Sequence, residues 1–500
     1  MTETGSKNLS HLGDYDVAVI GGGVIGAMIA RELSRMKGRF TILEKEAFPG
    51  FGVSKASLSQ IHLPDFCPPG SLKGRLCRDA PARFKTLAAD LGVEYREVGE
   101  LWLALDPSQM DNLKEARNRG EANGARGYEI IGPDRIRELE PHVTPDAVAA
   151  LYAGGVGVIY TPEWNFALVE NAVQNGVTAH FSNLVTGIRQ DPDRSFLILT
   201  SKGTLSARYV VNAAGLYVDD IAGMVGDNHV RLALRKGTML IFDKSASHLV
   251  NNMLFGTFSE KHSQDIAPTA HGNLILGVHY VAPAHKGDTR VTREGIQETM
   301  KLGRQLVPAL SEKDIITSFA GILPTPATTP NGDFYIAPSE SVSGMIHVAV
   351  GAPGLSAAPG IADLVINMLQ DLGIEAQENR EFRKKAKEWP RFESALPRQK
   401  ARMIVENPEY GHVLCRCEHV TEAEITRAIG KGANTLDAVK HLTRAGMGRC
   451  QGGFCGISVI KHLSEQLGIP PTEVSKRGRG TEQIMGITKG AAAPVGNGRS

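Results

Sequence analysis

Four of the six cysteines fall in one short stretch, as Cys415-Arg416-Cys417 and, after 32 intervening residues, Cys450-Gln451-Gly452-Gly453-Phe454-Cys455. Four thiolates are what a [2Fe–2S] cluster takes from its protein. Zinc also accepts four cysteines, but it favours C-x2–4-C at both ends rather than C-x-C with C-x4-C. Glycines on either side of Cys450 leave backbone N–H groups able to point at sulfur, which tunes a cluster's potential. Cys67 and Cys77 have no partner of this kind and read as ordinary thiols.

A second set of residues points to a nucleotide. Tyr15–Ile20 (YDVAVI) is a short apolar run of the kind that forms a buried parallel strand. It leads into Gly21-Gly22-Gly23-Val24-Ile25-Gly26, a G-x-G-x-x-G followed by a helical stretch over Val24–Met36. A second strand, Phe40–Leu43, ends in Glu44, 18 positions beyond Gly26. Gly21 permits the turn, Gly23 lets the backbone approach a pyrophosphate, and Gly26 lets helix and strand pack closely. The helix N-terminus then stabilises phosphate charge, and Glu44 can accept hydrogen bonds from a ribose. A dinucleotide is expected here.

The elements that must complete such a site lie far apart in the chain. Lys45 follows Glu44, and Ser54-Lys55-Ala56 sits in a small-residue loop. Tyr209–Asn212 reads as a strand ending in Ala213-Ala214-Gly215. Ile346–Val350 reads as another, followed by Gly354-Leu355-Ser356 and a helix over Gly360–Leu372. In that order these motifs resemble the D-amino-acid-oxidase-like superfamily of FAD enzymes. The resemblance covers about residues 14–372. It implies an α/β fold, with a Rossmann-like FAD-binding domain (about 14–74, 206–227 and 331–372) and an inserted α+β substrate domain (about 75–205 and 228–330). It also implies that Gly21, Gly23, Val24, Ile25, Gly26, Glu44, Lys45, Ser54, Lys55, Ala56, Ala214, Gly215, Gly354, Leu355 and Ser356 line the FAD.

Within the superfamily, Ile61-His62, Ala270–Gly277, Ser318–Gly321 and Gly332-Asp333-Phe334 resemble active-site segments of L-2-hydroxyglutarate oxidases and glycerol-3-phosphate dehydrogenases. That likeness implies oxidation of a small hydroxylated substrate to a ketone, with His62 and His279 as the candidate bases. His271 reads as structural. One position departs from the pattern: Leu323 stands where these relatives carry an arginine that grips phosphate or carboxylate. Glycerol 3-phosphate and L-2-hydroxyglutarate are therefore expected to be poor substrates unless another arginine, such as Arg235 or Arg75, takes that place.

The cysteine stretch, with Thr-Arg-Ala-Gly-Met-Gly ahead of Cys450, resembles the bacterioferritin-associated-ferredoxin-like [2Fe–2S] domain. Cys415, Cys417, Cys450 and Cys455 are then the cluster ligands, in a small helical domain over 411–468. Helices are expected at Thr421–Gly430 and Thr435–Thr443. Residues 373–410 read as a charged helix and linker, and 476–500 as a partly disordered tail. A flavin and a one-electron cluster in one chain suit a dehydrogenase that hands electrons to a partner protein, quinone or soluble carrier, as a subunit of a larger complex or alone. Two alternatives stay open: an amine or imino-acid dehydrogenase of the opine or proline type, and an electron-transfer subunit.

Composition sets the outer bounds. Five hundred residues suggest two or three domains. A net charge of +1 with no basic stripe gives no case for nucleic acid. No apolar run approaches the ~20 residues that cross a bilayer, and the polar N-terminus lacks a signal peptide's apolar region. A cytoplasmic protein is expected.

Overall fold

The computed structural model describes residues 10–256, 262–386 and 390–486. The chain divides into two compact units, 1–389 and 390–500.

The first unit is built on two eight-stranded sheets. At the centre of the first sheet lies β1 (His11–Ile20), parallel to β2 (Phe40–Leu43) and to the strand Gly203–Asn212. Thr178–His180 extends the parallel set beyond β2, and Met345–Ala349 extends it beyond Gly203–Asn212. These strands are apolar because helices cover them: α1 (Val24–Leu33), Thr161–Gln174 and Gly354–Asp371 pack together over the sheet. Val17, Val19, Met28, Ile29, Ile42 and Trp164 form the buried centre.

The second sheet runs in spatial order 315–326, 232–242, 274–281, 262–268, 253–256, 100–104, 149–153 and 128–131. Its two faces differ. One packs Leu240, Phe242, Leu254, Leu274 and Leu276 into a core with helix Arg293–Leu306. The other carries Phe255, Ile275 and Phe319, and the segment around Leu58 and Leu63 packs on it.

Domain limits read from motifs alone differ from this arrangement. Helices Ala80–Leu91 and Thr161–Gln174, and strands Thr178–His180, Val185–Gln190 and Phe196–Thr200, all fall in the interval assigned to the substrate domain, yet they build the first layer. The reason is periodicity: Ala80, Phe84, Ala88 and Leu91 form one apolar helical face, and Phe84 packs on Trp164 with ring centres 4.9 Å apart. The stretch read as a linker also differs. Residues 377–386 lie along the first unit, where Lys37 N–H donates to Gln377 O and Ala386 N–H to Asp90 O, and the helix forms later, at Pro397–Glu406. A hydrogen bond from Asn379 N–H to Arg35 O and stacking of Arg31 and Arg35 on Phe382 fix this strap.

The second unit holds a two-stranded ribbon, Val413–Cys415 and Val420–Thr421, and helices Glu422–Gly430, Leu436–Thr443 and Cys455–Leu467 around Ile425, Val439, Leu442 and Leu463. Thr421 and Glu424 form a capping box, and Thr435 caps the next helix, so both helices start one residue later than their threonines. The start of the expected disordered tail is folded: Asp437 N–H donates to Lys476 O, and Ser475 bridges Glu482. Residues 487–500 of that tail lie outside the described residues. Among the described residues no helix is long and apolar enough to cross a membrane.

Candidate functional site

Strand register brings the glycine motif, Glu44 and the Ala213-Ala214-Gly215 turn to one edge. Ile20 pairs with Leu43 on one side and Asn212 on the other, so the three loops leave the sheet at the same level. Gly21 has φ +109°, and a Cβ there would collide with Ala213 O; a Cβ on Gly26 would collide with Gly21 O. Gly23, the N-cap of α1, supplies no side-chain cap of its own to the helix N-terminus, the kind of end that binds phosphate. The Glu44 carboxylate accepts from Gly22 N–H at 2.7 Å and from Glu46 N–H at 2.9 Å. Burial raises its pKa, against the pull of these two bonds. Val24 N–H donates to Ser54 Oγ at 2.9 Å, and Lys45 Nζ lies 3.6 Å from the centre of the Tyr217 ring.

The small-residue loop and the late helix meet the second sheet here. A Cβ on Gly321 would lie 2.9 Å from Ala56, and a Cβ on Gly351 would lie 2.6 Å from Pro324 O. Helix Gly354–Asp371 has no side-chain cap either, and Ser356 in its first turn accepts from His62 N–H at 2.9 Å. The structure therefore brings together Gly21, Gly23, Val24, Gly26, Glu44 and Ser54, with Ala214 and Gly215 at the same sheet edge. It joins Gly354, Leu355 and Ser356 to His62.

His62 and His279 are not brought together. His279 stands directly opposite Thr238 in the antiparallel pair, and directly opposed residues share a face. Thr238 faces Gly295 of the helix that covers the far side of the sheet. Simple alternation from Gly277, which packs on Leu58, would have put His279 on the His62 side. One extra residue between the Leu240–Leu276 and Thr238–His279 pairs makes a bulge and turns His279 away.

The surroundings of His62 hold residues that the motifs did not reveal. Phe66 meets the imidazole edge-on at 5.3 Å, and Phe255, stacked on Trp102, lies 5.6 Å away. Glu100 Oε2 is 3.8 Å from His62 Nδ1. Asp65 reaches Glu100, both carboxyls are fully buried, and no third side chain donates to either; only the backbone N–H groups of Asp65 and Phe66 turn toward Asp65. Burial holds the imidazole below its ordinary pKa. Burial pushes Glu100 up to about 8 and, with the neighbouring Glu100, pushes Asp65 up strongly. The available signal was a charged residue opening the otherwise apolar run Glu100–Ala104.

Arg235 is paired directly with Leu323, so its side chain lies on the same face as Leu323, Gly321 and Phe319. Its guanidinium stacks on Tyr280 at 4.8 Å. Arg75 is exposed on helix Leu72–Cys77.

In the second unit the four cysteines form two pairs. The Cys415 and Cys455 thiols are hydrogen-bonded, and Cys417 Sγ lies 3.6 Å from Cys450 Sγ. Gly448 permits this approach, since a Cβ there would collide with Cys417. Backbone N–H groups of Gly446 and Glu418 point at Cys415, and those of Phe454 and Gly452 at Cys450. The buried Arg444–Glu418 ion pair, 2.9 Å long, ties the two ligand loops. Hydrogen bonding from Cys455 lowers the Cys415 pKa to about 6. Among the described residues no group of three or more ligating side chains is set to hold a single metal ion. Two thiol pairs with aimed N–H groups suit a two-iron cluster.

A family model described as FAD dependent oxidoreductase matches residues 16–368. The chain belongs to that family. A second model, a BFD-like [2Fe-2S] binding domain, matches residues 413–465, which contain all four cysteines. This FAD-dependent oxidoreductase thus carries FAD and a [2Fe–2S] cluster. It is 37% identical over 479 residues to a glycerol 3-phosphate dehydrogenase of Caloramator mitchellensis, covering 95% of this chain and 99% of that one. It is 26% identical to the glycerol 3-phosphate oxidase of Mycoplasma pneumoniae over 71% of this chain and 94% of that one. The solved FAD-bound L-alpha-glycerophosphate oxidase of that organism superposes with a TM-score of 0.71 at 24% identity, over 75% of this chain and 99% of that one, which shows the shared fold.

Proposed function

We propose that this FAD-dependent oxidoreductase oxidises a small hydroxylated anion of the glycerol 3-phosphate class to the ketone and releases the electrons singly to an external acceptor. The observation that carries this reading is the end-to-end likeness to a glycerol 3-phosphate dehydrogenase, which spans both cofactor units. Bound FAD supplies hydride acceptance, and the cluster supplies one-electron transfer. Gly21, Gly23, Val24, Ile25 and Gly26 hold the pyrophosphate, Glu44 and Lys45 the ribose end, and the uncapped helix at Gly354-Leu355-Ser356 the flavin end, with Ser54, Lys55, Ala56, Ala214 and Gly215 closing around them. Cys415, Cys417, Cys450 and Cys455 hold the cluster.

His62 serves as the base. Its Nδ1 is sealed from solvent, and its backbone is fixed by Ser356 at the flavin helix, which leaves Nε2 for the substrate hydroxyl. A depressed pKa keeps the imidazole neutral and able to accept a proton at neutral pH. Arg235, across the strand from Leu323, grips the anionic group that the family's usual arginine would hold. The experiment is anaerobic mixing of the holoenzyme with sn-glycerol 3-phosphate, L-2-hydroxyglutarate, glycerol and proline. Rapid bleaching of the flavin by the phosphate ester alone supports the reading, and bleaching by proline alone overturns it.

A further inference from the structure

Asp65 and Glu100 are an anomaly in the core. Both side chains are buried, no third side chain donates to either carboxyl, only the backbone N–H groups of Asp65 and Phe66 turn toward Asp65, and no lysine or arginine pairs with either among the described residues. Two carboxylates that touch repel unless a proton lies between them. Arg119 Nε–H donates to the Asp65 backbone carbonyl rather than to its carboxyl, and His62 lowers the Asp65 pKa; the remaining neighbours carry no positive charge. Asp265 from the strand His262–Pro268 acts on His62; Tyr128 and Tyr95, from two other strands, feel the pair; and Cys67 lies beside Asp65. All of these are acids. Phe66 and Phe255 pack against the imidazole, and Trp102 packs against both of those rings. Such an arrangement costs stability, and in a core of ordinary function it would be replaced by amides or apolar residues.

We propose that Asp65 and Glu100 share one proton and take up a second from His62 Nδ1 as His62 Nε2 receives the hydroxyl proton of the substrate. This rests on the reading of His62 as the base. In the step, the substrate C–H bond breaks with its electron pair, which would pass as hydride to bound FAD, and the O–H bond breaks as the C=O bond forms. The hydroxyl proton goes to Nε2, and the Nδ1 proton goes to Glu100. The imidazole stays neutral and exchanges one tautomer for the other, while the carboxyl pair becomes doubly protonated. No imidazolium has to form inside the aromatic cage, where burial disfavours it. After the ketone leaves, Nε2–H exchanges with solvent and the pair returns its proton to Nδ1. The present separation of 3.8 Å is one that active-site hydrogen bonds close when substrate binds. Glu100 and Asp65 are then positioning and proton-holding residues that act through His62 and do not touch substrate.

The test uses the isosteric variants Glu100→Gln and Asp65→Asn in the holoenzyme, with sn-glycerol 3-phosphate as the probe. Stopped-flow flavin reduction at saturating probe should slow at least about tenfold in each. The dissociation constant of the probe should stay within about twofold, because neither residue meets it. Flavin reduction in the unaltered protein should rise with pH through about 8, where Glu100 ionises, and this rise should vanish in Glu100→Gln. Infrared spectra of the oxidised protein at neutral pH should show a protonated-carboxyl band that Glu100→Gln diminishes. Reduction rates and pH profiles unchanged in both variants, or no protonated carboxyl in the unaltered protein, would overturn the proposal. His62→Gln separates the two readings. If it bleaches at the normal rate, His62 is not the base and both readings fall; if it is inactive while Glu100→Gln is normal, only the carboxyl pair is wrong.

Discussion

Arg235 faces Leu323 directly across an antiparallel pair, on the sheet face that carries Gly321 against Ala56. That register sets a guanidinium on the strand beside the position where the expected arginine is missing. A charge-assisted hydrogen bond contributes about 1.5–3 kcal/mol. Arg235→Gln should therefore raise the KM for an anionic substrate by about tenfold or more, with a smaller change in kcat. Steady-state kinetics with sn-glycerol 3-phosphate checks this, and Leu323→Arg in the Arg235→Gln background should restore much of the loss. An unchanged KM in Arg235→Gln would place the anion elsewhere.

The glycine motif makes a sharper demand at Gly26 than at Gly23. A methyl group on Gly26 meets the carbonyl of Gly21, whereas one on Gly23 meets only the Ser54 hydroxyl at 3.2 Å. Gly26→Ala should push α1 off the strand and lose FAD, while Gly23→Ala should retain most of it and Gly23→Trp little. Flavin absorbance per chain after denaturation measures each. Equal flavin content in all three would show that the pyrophosphate lies elsewhere.

Cofactor loss should separate by unit. Cys417→Ser or Cys450→Ser removes one member of a thiol pair in the second unit, whereas the candidate FAD-binding residues all belong to the first. Iron and acid-labile sulfide, expected at two each per chain by the usual content of such a cluster, should be lost with FAD retained. Substrate should still bleach the flavin, and turnover with a one-electron acceptor should fall. Full iron content in Cys450→Ser would remove that residue from the ligand set.

Acid stability should turn on Asp227. Burial alone would raise its pKa, but bonds from Ser339 Oγ and the N–H groups of His229 and Glu340, with His347 nearby, lower it to about 2. A carboxylate depressed on folding stabilises the fold above its ordinary value near 3.8, and that contribution disappears as pH falls toward 2. The shift corresponds to roughly 2 kcal/mol. Denaturation followed by tryptophan fluorescence should show this loss between about pH 4 and 2, and Asp227→Asn should flatten it.

The sequence by itself determined the two cofactors, because their chemistry is written in local spacing. A glycine turn between strand and helix, and four thiols around a glycine-rich loop, need only a few consecutive residues to be recognised. It also determined most elements near those motifs: β1, β2 and the helices after Thr421 and Thr435 fall within a few residues of their expected limits. What tertiary structure decided was everything that depends on which face a residue takes. A single extra residue at Gly277–Val278 turned His279 to the helix side of its sheet. Register put Arg235 across from Leu323, 88 positions away. Folding buried Asp65 against Glu100, two acids whose sequence neighbours give no sign of each other. Facing and burial arise from contacts between distant segments, so no local pattern of residue types could have specified them.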